Sequence, residues 1–268
     1  MNKDYILGTH DEELQRLALQ HRVWAGQAHE LWSIGGITPS TKILDLGCGP
    51  GFASVDIAQI VGIEGQVIGV DKSEKFIHYA LGNFKTTFPQ TDFYVAEANH
   101  LPIDDGQFDC VYSRWLFSWL SDVNSVMEEV WRVLKPGGKF LFQEYIRWET
   151  FSVFPRERSI QAAIEACRSS WQAMDSEINS AERVLTSALK LGFEIAHAAP
   201  LQRLARPGSL LWNWPATFLN IYGKHLVEAG FLEEDVHRQC IIDLDKKQGS
   251  HQAFIITPMM LEAVLIKA

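Results

Sequence analysis

Basic residues are scarce in this 268-residue chain: Lys and Arg number 24 against 33 Asp and Glu, a formal net charge of −9. No run of Lys or Arg is dense enough to form a local patch. That balance works against a phosphate backbone as main partner and argues against nucleic acid. Cysteine is scarce too, with Cys48, Cys110, Cys167 and Cys240 widely scattered and no CxxC pair. This favours a reduced intracellular compartment and disfavours a zinc site. No apolar stretch approaches the length of a membrane span, and the opening "MNKDYILGTHDEELQRL" is too polar for a signal peptide. A soluble, cytoplasmic protein is therefore expected. Internal repeats and low-complexity segments are also missing. Hydrophobic residues, by contrast, make up 47% of the chain, enough for one large α/β domain or a domain with an elaborated cap.

Residues 11–34 place Leu14, Leu17, Leu19, Val23, Trp24, Ala28, Leu31 and Trp32 near a 3.6-residue period, which predicts a helix ended by Gly35-Gly36. From residue 42, expected strands (42–46, 66–70, 92–96, 108–112, 139–144) alternate with expected helices (52–60, 73–84, 122–134). Ser73 is a candidate N-cap, and Pro136-Gly137-Gly138 a candidate stop for the third helix. Such alternation predicts a parallel sheet covered on both faces. The rhythm breaks over 145–179, which reads as aromatic and helical with no strand. "ALKLGFEIAHA" (188–198) resumes as helix, turn and strand, residues 209–236 read as helical, and "MMLEAVLIKA" closes the chain as a strand. The expected organisation is one domain over 1–268. It has an N-terminal helical cover (1–36), a ligand-binding core (40–145) and helical cap insertions (146–180 and 205–250).

The densest signal is "ILDLGCGPGFASVDIA" (43–58), with Gly47, Gly49 and Gly51 at alternate positions between a strand carrying Asp45 and a helix opened by Phe52. Glycines there let the turn take positive φ and let a ligand touch the main chain. A dinucleotide fingerprint reads GxGxxG with its third glycine inside the helix, so strict alternation is a different spacing. Asp71, at the end of the second strand, supplies an acid suited to gripping two ribose hydroxyls.

Four stretches follow in order: "ILDLGCGPG", "VIGVD", "AEANHLPIDDGQFDCVYSRWLF" and "EEVWRVLKPGGKFLF". With these, residues 40–145 resemble the class I S-adenosylmethionine-dependent methyltransferases, most of all the small-molecule branch that includes quinone biosynthesis. The resemblance implies a Rossmann-like, doubly wound, seven-stranded and mostly parallel α/β sheet with one antiparallel strand and helical cap insertions. It also implies S-adenosyl-L-methionine as cofactor, S-adenosyl-L-homocysteine as product and a small-molecule methyl acceptor as partner. Position by position, it sets Asp45 and the main chain around Gly47, Cys48, Gly49 and Gly51 beside the methionine part. Asp71 takes the ribose hydroxyls, and Lys72 flanks the adenine. Glu97, Ala98 and Asn99 match the adenine-reading step, Glu97 being one methylene longer than the family's Asp. Ser113 and Arg114 line the methionine end, while Tyr5, Arg16 and Gln20 come from an N-terminal segment that covers the cofactor.

Open α/β sheets bind ligands beyond the carboxyl ends of their strands, which directs attention to Gln143, Glu144, Tyr145 and Trp148. Glu144 is the candidate catalytic residue, contacting or deprotonating the acceptor; the alternative is a structural carboxylate capping the strand end or pairing with Arg147. Trp115, Tyr145, Trp148, Trp212 and Trp214 are candidate walls of an acceptor pocket, with plain core as the alternative. Cys48 reads as a small filler of the turn, His100 as a binding or structural residue and Asp104-Asp105-Gly106 as turn chemistry, so no metal is expected. "SRWL" lacks the Asn/Asp-Pro-Pro-aromatic tetrad that grips an exocyclic base amine. An RNA or protein methyltransferase and a non-catalytic cofactor-binding sensor remain alternatives. The choice among O-, N- and C-methylation stays open, as does oligomeric state.

Overall fold

A computed structural model describes residues 11–268. Helix α1 (Asp11–Gly35) is followed by β1 (Lys42–Leu46), α2 (Phe52–Val61), β2 (Gln66–Asp71), α3 (Glu74–Phe84), β3 (Thr91–Val95), β4 (Phe108–Arg114), α4 (Val123–Val133) and β5 (Leu134–Arg147). Then come β6 (Ser152–Phe154), α5 (Arg158–Ala173), α6 (Ala181–Leu191), β7 (Phe193–Leu201), β8 (Leu204–Ala205), α7 (Leu210–Glu228), α8 (Glu234–Gln248), β9 (Phe254–Ile256) and β10 (Met259–Lys267). Local chemistry sets several boundaries. Ser73 Oγ accepts from Phe76 N at 3.3 Å and Asp122 Oδ1 from Ser125 N at 3.2 Å, which caps α3 and α4. No helix among the described residues is long and apolar enough to cross a membrane.

The chain divides into two compact units. One comprises Trp24–Glu144, Ser180–Pro200 and Leu261–Ala268; the other comprises, among the described residues, 11–23, Tyr145–Asn179 and Leu201–Met260. The first is organised by a seven-stranded sheet of order β3-β2-β1-β4-β5-β10-β7. It is the expected doubly wound α/β sheet, mostly parallel with one antiparallel strand pair. β1 pairs in parallel with β2 on one side and β4 on the other, with Leu46 opposite both Val70 and Ser113. The strand order therefore reverses at β1 and β4, the place where such sheets open a crevice at their carboxyl ends. Ala28, Leu31 and Trp32 of α1 pack with Ile43, Ile57, Val67, Tyr112 and Leu141 in its core. Trp32 meets Tyr112 edge-on at 5.3 Å. Full burial of each such large side chain contributes about 2 kcal/mol.

Two sequence expectations are corrected. Helix α4 stops before the Pro136-Gly137-Gly138 turn: Leu134 is already extended (φ −75°, ψ 138°) and pairs with Phe108, so β5 starts at Leu134. The residue before a proline is driven out of the helical region, so the chain turns extended ahead of Pro136. The register shift between Phe108 and Cys110 absorbs the irregular start. The stretch 145–179 also contains a strand after all. β6 pairs antiparallel with β9, Phe154 opposite Phe254, and β9 also pairs with β8 to form a three-stranded sheet. Strands of two or three residues are too short to show a period.

Candidate functional site

The turn between β1 and α2 is built on left-handed backbone: Gly47, Gly49 and Gly51 have φ of 73°, 54° and 85°. Their surroundings differ. A Cβ on Gly51 would lie 2.9 Å from Phe93 Cε1, and one on Gly47 would lie 3.0 Å from Leu116 Cδ1. A Cβ on Gly49 would meet nothing within 4 Å among the described residues. Two of the three glycines thus serve close packing of the protein on itself, and Gly49 is open on its Cβ side among the described residues. The turn is tied to β2 because Gly47 N and Cys48 N both donate to Val70 O, at 2.8 and 3.0 Å.

Asp71, at the carboxyl end of β2, accepts from Gly49 N through Oδ2 at 2.9 Å and from Ser73 N through Oδ1 at 2.8 Å. Burial raises its carboxyl above the ordinary range, while those two N–H groups and Lys72 oppose the rise. Asp45 is buried in β1 and takes the Ser54 hydroxyl on Oδ2 at 2.5 Å. Burial pushes its carboxyl up to about 6, with Ser54 and Arg114 pulling it down. Burial, with Asp45 and Asp71 nearby, lifts the Cys48 thiol well above its usual value, so the buried sulfur stays a neutral filler. Glu97 and Asn99 are exposed after β3, and the Glu97 charge is felt at Asp71. Lys72 is exposed and Ala98 half-buried.

Ser113 and Arg114 end β4. Ser113 is fully buried, and its hydroxyl has no hydrogen-bond partner among the described residues. The Arg114 guanidinium lies 4.9 Å from the centre of the Trp115 ring, and Trp115 packs edge-on against Trp24 at 6.0 Å. Asp45, Asp71, Ser113, Arg114 and the glycine turn are therefore gathered at the carboxyl ends of three neighbouring strands.

Glu144 is fully buried. Its Oε1 accepts from Leu116 N and Phe117 N at 2.7 and 3.0 Å, and its Oε2 from Ser180 Oγ at 2.9 Å. Burial pushes this carboxyl up to about 7 against the pull of those donors. With both oxygens engaged by protein donors and shielded from solvent, the geometry favours the structural alternative over the catalytic one. That alternative has two forms, a cap on the strand end or a partner of Arg147, and Arg147 lies 4.0 Å from Glu149. Neither Ser180 nor Leu116 carries a sequence signal that would pair it with Glu144, since both are distant along the chain.

The other expected residues lie in the second unit and are described within it. Arg16 makes a bidentate pair with Glu13 at 2.7 Å for both contacts, both side chains being buried. Its Nη1 donates to Gln20 Oε1 at 2.9 Å, and Trp214 Nε1 donates to the same oxygen at 2.9 Å. Arg16, Gln20 and Trp214 thus form one network. Trp148 and Trp212 are core. Trp148 is flanked by Tyr145, Phe151, Trp171 and Phe218 and donates its indole N–H to Ile164 O at 3.2 Å. Trp212 is completely buried. Tyr145 is half-buried, and Tyr5 lies outside the described residues. Among the described residues no group of three or more His, Cys, Asp or Glu is placed to hold a metal. Asp105 pairs instead with Arg132 at 2.8 Å.

Comparison with known proteins adds a second line. Residues 44–142 match the family described as "Methyltransferase domain". The chain is 34% identical over 147 residues to the 2-phytyl-1,4-naphtoquinone methyltransferase of Trichormus variabilis, covering 54% of this chain and 63% of that one. It is 36% identical over 121 residues to the demethylmenaquinone methyltransferase of Lactococcus lactis, covering 45% and 47%. It thus spans less than two thirds of the length of these curated relatives. Among solved structures, the geranyl diphosphate C-methyltransferase of Streptomyces coelicolor A3(2) aligns over 98% of this chain and 84% of its own length. The TM-score is 0.61 at 15% identity, a likeness of fold alone. The sheet order and the glycine turn thus accompany a segment, residues 44–142, that matches a methyltransferase-domain family.

Proposed function

We propose that the protein transfers a methyl group from S-adenosylmethionine to a small, partly apolar acceptor, leaving S-adenosylhomocysteine. The bound donor supplies a sulfonium-activated methyl carbon open to in-line displacement, which leaves binding, orientation and exclusion of water to the protein. The residues at the carboxyl ends of β1, β2 and β4 fit such a donor. Each Asp71 oxygen accepts one main-chain N–H and keeps a further lone pair for a ribose hydroxyl. The open side of Gly49 leaves room against the main chain where a side chain would intrude. Asp45 supplies an acid suited to a cationic group at the methionine end, and the unpartnered Ser113 hydroxyl supplies a polar contact beside it. Lys72, Glu97, Ala98 and Asn99 flank the adenine in this reading.

The acceptor is drawn from small molecules, as the naphtoquinone and menaquinone methyltransferases among the relatives suggest. The acidic net charge supports a partner other than nucleic acid, and the cysteine usage supports a cytoplasmic setting. The observation that carries the reading is the Gly49–Asp71 pairing, which joins an open glycine to a carboxylate with spare acceptor capacity. Calorimetric titration with S-adenosylmethionine and S-adenosylhomocysteine, alongside Asp71→Ala, tests it. Both ligands bind the native protein, and Asp71→Ala weakens both by about 100-fold through loss of charged hydrogen bonds. A screen of phenols, amines and quinone precursors for methyl transfer then separates an enzyme from a sensor. Absence of binding by the native protein would end the reading.

A further inference from the structure

Glu144 is an expensive group to bury. No Lys or Arg forms an ion pair with it among the described residues, and uncompensated burial of a carboxylate costs several kcal/mol. What it holds is the turn leaving β4. Trp115 has φ 55°, a left-handed conformation costly for a bulky side chain. Three successive amides are pinned there: Trp115 N donates to Gln143 O at 3.1 Å, and Leu116 N and Phe117 N donate to Glu144 Oε1. Ser180 sits at the N-cap of α6, yet its hydroxyl does not cap that helix and goes to Glu144 Oε2. From the same helix, Arg183 donates to Leu120 O at 3.2 Å and to Ser121 O at 2.5 Å, holding the far end of the turn.

The fixed turn in turn shapes the glycine loop. Three atoms of the Leu116 side chain lie 3.0 to 3.2 Å from where a Cβ on Gly47 would stand. We infer that Glu144 is a positioning residue: it clamps the Trp115–Phe117 turn so that Leu116 buttresses Gly47, and so fixes the glycine loop that receives the cofactor. The cofactor part of this inference rests on the methyltransferase reading; the clamp itself rests on geometry alone. Losing the carboxylate frees two amides and releases the strained Trp115, and Leu116 then leaves Gly47.

The test combines residue-resolved amide exchange at Leu116 and Phe117 with S-adenosylhomocysteine titration, on the full chain. In Glu144→Ala both amides exchange about 100-fold faster, and the ligand binds about tenfold more weakly as the loop loosens. Glu144→Gln restores both to near the native values, because its Oε1 accepts the two N–H groups and its Nε2 donates to Ser180 Oγ. Should Glu144→Ala fail to fold, Leu116→Ala isolates the second link, with Phe117 still protected but affinity reduced about fivefold. Unchanged exchange in Glu144→Ala would refute the clamp, and native affinity in Leu116→Ala would refute the buttress. Loss of methyl transfer in Glu144→Gln, with exchange and affinity intact, would overturn the inference in favour of a catalytic base. A native protein with protected amides that binds no S-adenosylhomocysteine would refute the methyltransferase reading and leave the clamp standing.

Discussion

Replacing Gly49 and Gly51 separately by alanine should damage two different properties, because the two glycines are left-handed for different reasons. At Gly51 an L-residue at φ 85° costs about 1–2 kcal/mol. Its methyl would stand 2.9 Å from Phe93 Cε1 and 3.1 Å from Ala80 Cβ, and overpacking of that kind costs about 1–3 kcal/mol more. Gly51→Ala should therefore lose about 3 kcal/mol of stability. At Gly49 the backbone term alone applies, since a Cβ there meets nothing within 4 Å among the described residues, so Gly49→Ala should lose about 1 kcal/mol. The order reverses in binding. The methyl of Gly49→Ala enters the space assigned to the cofactor and should weaken S-adenosylhomocysteine about tenfold or more. Urea unfolding at 25 °C followed by calorimetric titration reads both quantities. Equal stability losses would refute the packing argument, and native affinity in Gly49→Ala would refute the assignment of the open side to a ligand.

Three further outcomes follow from the titrating groups. Asp45 stands at about 6 when the site is free, and a cationic group beside it would draw it down, so affinity for S-adenosylmethionine should fall as pH drops below about 6, by up to tenfold per unit. Titration from pH 5 to 8 checks this, and a flat profile would remove Asp45 from the binding site. Glu144 is raised from 4.5 to about 7, so its contribution to stability is full below 4.5 and is lost as pH rises through 7, by about 3 kcal/mol in all. Glu144→Gln keeps the hydrogen bonds without the charge, so its melting temperature should gain on the native protein between pH 5 and 8; a constant gap would mean the carboxyl is not raised. All four cysteines are buried, so an alkylating thiol reagent should modify none until urea unfolds the chain, and rapid reaction of any one would show its packing to be wrong.

The sheet unit was legible because its signals are periodic and local. Short continuous apolar runs in 42–46 and 66–70, helical stripes such as Val123, Val126, Met127 and Val130, and the Ser73 cap each act within a few residues. The small sheet was not legible, because Leu204 meets Ile256 and Phe154 meets Phe254 only through pairings across 50 or more residues, in strands of two or three. Tryptophan roles were equally hidden. An aromatic residue in an inserted helix reads the same whether it lines a pocket or fills a core, and Trp148 and Trp212 proved to be core.

Carboxylates at strand ends show what sequence leaves undecided and what geometry adds. Asp45, Asp71 and Glu144 each end or nearly end a parallel strand, and each is raised by burial. By position alone any of them suits a ligand or a base. They differ in how much acceptor capacity the protein has already used. Asp45 is met by Ser54, Asp71 by the N–H groups of Gly49 and Ser73, and Glu144 by the N–H groups of Leu116 and Phe117 together with the Ser180 hydroxyl. A carboxylate offers about four lone-pair sites. Those with sites unspent, beside a glycine open among the described residues, are the ones that can answer a ligand, whereas one enclosed by the donors of Leu116, Phe117, Ser118 and Ser180 and closed to solvent answers to the fold. The same residue type at the same kind of strand end thus becomes a binding group or a structural clamp according to donors supplied from residues tens of positions away. That is why the sequence leaves Glu144 open between a base and a structural carboxylate, and why the donors around it support the clamp proposed above.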